Sequence, residues 1–254
     1  MTTTRLDSGG PRLTVVEHLE ELRRRLGISL AAFLLATAIG LTQARHLIAW
    51  LKRPADAFLP QFAFFTPTEP LVAYVKVSVL AGLMLAMPVL LAQGWGFVRS
   101  GLLPKERATG AALIGWGTFQ FVAGVMVAYL WLVPAALRIL LGIGAQAFEP
   151  VISIDRYLSF MTTLLFWSGL VFELPVVLVI LAKADIVTSA WLRQQRAYAA
   201  LVLVIIAALI TPTTDPVNLL LLAGPLLLLY EASIWLTRFT TGGKPSHGRR
   251  AERG

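Results

Sequence analysis

The sequence predicts an all-α integral membrane protein that crosses the bilayer about six times, and three observations predict it. Of its 254 residues, 57% are hydrophobic and only 14% are charged, whereas an ordinary soluble domain carries roughly a quarter charged residues. The charges gather in short segments between long uncharged runs, the pattern expected when charge is excluded from hydrocarbon. Several of those runs approach or exceed the roughly 20 helical residues needed to cover a hydrocarbon core of about 30 Å.

The first element is a helix at the N-terminus. Leu13 to Leu26 opens with the capping-box pattern Thr14-x-x-Glu17 and sets Val15, Leu19, Leu22 and Leu26 on one stripe, so residues 1–25 read as a cytoplasmic segment with an amphipathic, interfacial helix. Five arginines precede the first apolar run without an Ala-x-Ala cleavage pattern, which points to a retained span rather than a removed signal peptide. The membrane domain follows over 26–236. Its first three runs are Leu26 to Ala44, Val77 to Val98 and Ala108 to Leu137, and a fourth, Tyr157 to Ala182, is interrupted by Glu173 alone. The last two, Ala197 to Ile210 and Val217 to Tyr230, are short, reaching about 21 Å as ideal helices. Either their ends extend into polar flanks or the bilayer thins around them. Between them Thr211-Pro212-Thr213-Thr214-Asp215-Pro216 holds two prolines and turn formers, which separates two spans. The longest connection, Arg45 to Lys76, carries four prolines and is expected to be ordered but irregular, with room for a short helix over the spans. Residues 237–254 form a basic tail, Gly-rich and without periodicity from Gly242, expected to be disordered.

Charge sets the orientation. With six spans, sixteen of the 22 lysines and arginines fall on the side of the two termini, and only Arg45, Lys52, Arg53, Lys76, Arg138 and Arg156 fall on the other. The positive-inside rule places both termini in the cytoplasm. Topology therefore accounts for the net charge of +8, and no basic, aromatic-interleaved domain stands outside the membrane runs to bind nucleic acid.

Few residues offer chemistry. Cysteine is absent, only three histidines are present, and the proposed topology sets His46 across the membrane from His18 and His247, which argues against a metal centre. No nucleophile–base order, phosphate loop or His-Glu-x-x-His motif appears, so the chain does not read as an enzyme. In the N-terminal helix Glu20 with Arg24 and Glu21 with Arg25 stand at i,i+4; by composition alone they are a solvated face with weak ion pairs. Glu106, in Pro104-Lys105-Glu106-Arg107, is a second cytoplasmic carboxylate from a different segment, so two acceptors can face a ligand bearing paired cations. Glu173 lies near mid-membrane, where carboxylates are costly and usually face a bundle interior, a polar partner or a water-filled cavity. Pro175 is placed to kink the same helix. Asp215 is by default a turn residue. A secondary transporter or ion channel using Glu173 as a proton or cation site is the leading alternative, though no internal repeat supports it.

Taken in order, His18-Leu19-x-Glu21-Leu22-Arg23-x-Arg25-Leu26, Phe65-Thr66-Pro67-x-Glu69-Pro70 with Lys76, and Pro88, Gln93, Trp95 and Phe97 form the first half of a pattern. The rest is Gly101-Leu102-x-Pro104-x-Glu106-Arg107, Tyr157-Leu158-Ser159-Phe160, Phe172-Glu173-x-Pro175 and Thr211-Pro212 with Asp215. Together they resemble the TatC family, the polytopic receptor subunits of the twin-arginine protein translocase. Arg99-Ser100 before Gly101 and an extra residue between Pro212 and Asp215 depart from the family pattern. The resemblance implies a concave arrangement of helices with the last two short. It also implies recognition of Arg-Arg signal peptides by Glu21 and Glu106, with Arg23 and Arg25 supporting. Glu173 and Pro175 are then an intramembrane contact for a partner or signal peptide on the concave surface, and Asp215 belongs to a functional turn on the exported side. The implied partners are TatA-like and TatB-like single-span proteins and further copies of the chain, without cofactor or metal. The implied place is the bacterial cytoplasmic (inner) membrane, with proton-motive force driving export of folded proteins.

Overall fold

The computed structural model describes residues 15–56, 58–59, 61–98, 110–142, 150–184, 186–210 and 216–241. Glu106 and Asp215, like the basic tail from residue 242, lie outside them.

Among the described residues the chain is helical throughout apart from turns and one isolated bridge between Ala63 and Ser153. The helices are α1 (Val15–Thr42), α2 (Ala44–Lys52) and α3 (Glu69–Val98), followed by α4 (Gly110–Gly142) and α5 (Ile154–Phe172). Then come α6 (Leu174–Lys183), the short α7 (Ser189–Gln194), α8 (Arg196–Ile210) and α9 (Pro216–Thr241). Among the described residues four stretches are long and apolar enough to cross a membrane: Leu19–Thr42, Glu69–Val98, Gly110–Gly142 and Ile154–Lys183.

The expected amphipathic helix and the first apolar run form one 28-residue helix, α1, with no break at residue 25. Nothing in the sequence between them stops a helix, because Gly27 alone is tolerated. The last two runs differ from one another. Helix α8 has 15 residues, close to its apolar run, whereas α9 has 26 and continues past Tyr230 through Glu231 and Arg238 to Thr241. Its apolar stretch is short but its hydrogen-bonded length is about 39 Å, so this helix extends into a polar flank.

Small residues set how closely the helices approach, as expected where lipid offers little hydrophobic drive for association. A side chain at Gly82 of α3 would stand 2.6 Å from the Thr37 Cα of α1, and one at Gly40 would stand 2.9 Å from the Ser78 carbonyl oxygen. Helices α4 and α5 interlock in the same way. Gly124 admits Phe172 and the Ser168 carbonyl, while Gly169 admits Phe121, which is fully buried. In α4 a π-helical turn, Ala128–Leu132, precedes Pro134 and absorbs the register change beside a residue that cannot donate a backbone hydrogen bond.

One end of the bundle is tied together by polar contacts. Lys76 Nζ of α3 donates to Asp155 Oδ1 and to Ser159 Oγ of α5, each at 2.6 Å. The Ser153 hydroxyl donates to the Glu69 carboxylate and also accepts from the Asp155 N–H at 3.2 Å, capping α5. The first connection is held down from below: Tyr157 donates to the Leu51 carbonyl at 2.7 Å and Tyr129 to that of Trp50 at 2.8 Å.

Candidate functional site: two carboxylates at different depths

At the opposite end of α1 from this clasp, Glu21 lies one turn before Arg25. Arg25 donates from Nε and Nη2 to the same oxygen, Glu21 Oε1, at 3.0 and 2.6 Å. Its remaining Nη1 reaches Gln93 Oε1 of α3 at 3.4 Å. The guanidinium lies on Gly96, where a Cβ would stand 2.0 Å from Nη1. No hydrogen bond from a described residue reaches Glu21 Oε2, and the Glu21 and Arg25 side chains are 25% and 22% exposed. The second expected pair, Glu20 with Arg24, does not form, and Arg23 is exposed on the same helix.

Glu106 lies outside the described residues, but the helix ends that bracket it do not. Trp95 of α3 is buried against Gly110, the first residue of α4, and Gly96 carries Arg25. The chain thus leaves and re-enters the described structure at the Glu21 end of the bundle. Beside this end, Leu19, Leu22 and Leu26 of the predicted apolar stripe are exposed, so α1 presents that stripe outward rather than to its own bundle.

Glu173 occupies the joint between α5 and α6. Its N–H donates to Leu170 at 3.1 Å and its carbonyl accepts from Val177 at 3.0 Å, while Pro175 in the first turn of α6 supplies no N–H to Val171. The predicted kink is therefore present. The side chain, only 4% exposed, turns toward α4, where Gly117 leaves room: a Cβ there would stand 3.0 Å from Oε2 and 2.7 Å from Leu91. Among the described residues neither carboxylate oxygen has a hydrogen-bond partner, and the buried Gln120 Oε1 and Ser168 Oγ likewise have none. Glu173 is thus enclosed by its own bundle and not presented on an open concave surface.

A separate groove of about 340 Å³ runs between α1, α3 and α5, with Phe33, Val79, Thr163 and Trp167 among its walls and Lys76 at its edge. Glu173 does not line it. Sequence reasoning missed the groove, the Lys76–Asp155 tie and the position of Gln93, all of which arise from helices distant in sequence. Gln93 left two traces, its place in the family pattern and a polar amide inside the uncharged run Val77 to Val98.

A bundle of long apolar helices, with a partly exposed carboxylate at one end and an enclosed one at the α5–α6 joint, defines a multi-pass membrane protein. The family profile described as Sec-independent protein translocase protein (TatC) matches residues 17–225. The Sec-independent protein translocase protein TatC of Carboxydothermus hydrogenoformans is 39% identical over 227 residues, covering 89% of this chain and 93% of its own length. That of Aquifex aeolicus is 37% identical over 236 residues, covering 91% and 98%. A crystal structure of the twin arginine translocase receptor TatC superposes with a TM-score of 0.79 at 37% identity, covering 89% of this chain and 100% of that one. The chain belongs to the TatC family of protein translocase receptor subunits, which are not enzymes, and its work is protein transport.

Proposed function

We propose that this chain is the signal-peptide receptor and core subunit of a twin-arginine translocase in the bacterial cytoplasmic (inner) membrane, with both termini in the cytoplasm. It binds Arg-Arg signal peptides and assembles with TatA-like and TatB-like single-span proteins and further copies of itself. Folded proteins then cross the membrane, driven by proton-motive force. The observation that carries this reading is Glu21, a partly exposed carboxylate with one oxygen to which no described residue donates, fixed on a long helix at the end of the bundle where the segment containing Glu106 begins and ends. Neighbouring side chains on an extended peptide point in opposite directions, so one carboxylate does not readily hold both guanidinium groups. Glu21 takes one and Glu106 the other. A planar guanidinium pairs with a carboxylate through two parallel bonds that lysine does not reproduce, which gives the arginine requirement.

Glu173 with Pro175 serves the assembly step, meeting a polar group on a partner's transmembrane helix or on the inserted peptide. Because α4 encloses the carboxylate, that meeting requires α4 and α6 to part. Asp215 belongs to a functional turn on the exported side. Glu21→Ala and Glu106→Gln are each expected to weaken cross-linking of an Arg-Arg signal peptide while the protein still inserts. Undiminished cross-linking in the double variant would reject the site.

A further inference from the structure

We infer that Arg25 is an internal competitor for the signal-peptide arginine at Glu21, and so a residue that sets receptor affinity rather than a support for the carboxylate. The inference rests on the reading of Glu21 as a peptide site. Both N–H groups that Arg25 gives to Glu21 converge on Oε1, at 3.0 and 2.6 Å, and no described residue donates to Oε2. An incoming arginine that grips the carboxylate with two parallel bonds needs both oxygens. It must therefore claim the oxygen that Arg25 holds, and the two guanidinium groups repel one another at that distance.

Arg25 also has somewhere to go. Its Nη1 is 3.4 Å from Gln93 Oε1, a long contact, and the group lies flat on the Gly96 backbone with no side chain beneath it. A small swing toward Gln93 frees Oε1 without stranding the cation away from an acceptor. The exchange is cheap because the pair is of the i,i+4 kind on a helix face and both side chains are reachable from solvent. The displacement falls on the peptide arginine, which needs both oxygens; a lysine, a point charge, can meet Oε2 alone and feels only the repulsion of the Arg25 charge.

Titration of the full-length purified chain in lipid nanodiscs with fluorescent Arg-Arg and Lys-Lys signal peptides tests this. Arg25→Gln is expected to tighten the Arg-Arg peptide by about two- to fivefold and the Lys-Lys peptide by less. Arg24→Gln removes the same charge from an exposed residue of α1 that holds no ion pair with a described residue, and is expected to tighten the Arg-Arg peptide less. Arg25→Lys, which keeps the charge and loses the fork, is expected to fall between wild type and Arg25→Gln. Weaker binding by Arg25→Gln, unchanged binding, or a gain no larger than that of Arg24→Gln would overturn the proposal. Glu21→Gln separates the two ways of failing. If it abolishes binding while Arg25→Gln gains nothing, only the competitor role falls; if it too leaves binding intact, the peptide site at Glu21 falls as well.

Discussion

Glu21 and Glu173 are the same side chain in opposite circumstances. Glu21 is a quarter exposed and already carries a guanidinium, whereas Glu173 is 4% exposed and has no hydrogen-bond partner among the described residues. At the first, an arriving cation would exchange for Arg25 in contact with solvent, with little energy at stake. At the second, an unpartnered carboxyl is kept inside a helix bundle, which costs about 1–3 kcal/mol of desolvation that no hydrogen bond returns. The difference separates two kinds of site. The peripheral carboxylate suits reversible recognition. The enclosed one stores an unmet demand for a polar partner and is released only when helices move, which suits a step that follows recognition.

Closing the space around Glu173 should have the largest effect. Gly117→Val sets a branched side chain into Leu91 and the Glu173 carboxylate at once. The cost is expected in the upper part of the range of about 1–3 kcal/mol for overpacking, read as a lower thermal midpoint of the purified protein. An unchanged midpoint would mean that α4 and α6 are already loosely apposed here and that the carboxylate is less confined than it looks. Glu173→Leu should act in the opposite direction. It keeps the volume, removes the unpartnered oxygens, and is expected to stabilise the isolated protein by about 1–2 kcal/mol while abolishing cross-links to a partner helix at that depth. A loss of stability would show that the carboxyl is satisfied within the bundle after all, and the contrast with Glu21 would collapse.

How much of this was legible in the sequence follows from the same physics. The four long spans could be read because exclusion of charge from hydrocarbon is a local rule, and the kink beside Glu173 because Pro175 lacks an N–H. The Glu21–Arg25 pair was legible from i,i+4 spacing. Its tie to Gln93, 68 residues away, was not, and neither was the tie of Lys76 to Asp155, 79 residues away, because only helix packing brings them together. The direction in which Glu173 points depends on Gly117 having no side chain, a fact about the facing helix that the sequence around Glu173 does not contain. The length of α9 stayed open between a short span and one that runs on into a polar flank, for another reason. Hydropathy marks where a helix is apolar, whereas the backbone continues as long as its hydrogen bonds do, here through Glu231, whose carboxylate meets Arg196 of α8 at 2.7 Å.

The smallest effect is expected at the other carboxylate. Arg25→Gln breaks the ion pair with Glu21, yet the pair is partly exposed, local in sequence and screened by water. Its loss should therefore change the unfolding free energy by no more than about 0.5 kcal/mol. Glu21 is left with solvent as its partner, so no buried charge is stranded. The amide can still meet Gln93, and the close packing of α1 on α3 at Gly40 and Gly82 lies several turns away. A thermal midpoint within about a degree or two of wild type, measured beside the peptide titration, would show that the pair acts on binding and not on the fold. A drop comparable to that of Gly117→Val would instead make Arg25 a bolt between α1 and α3, and Glu21 would then have to recognise its ligand with that bolt in place.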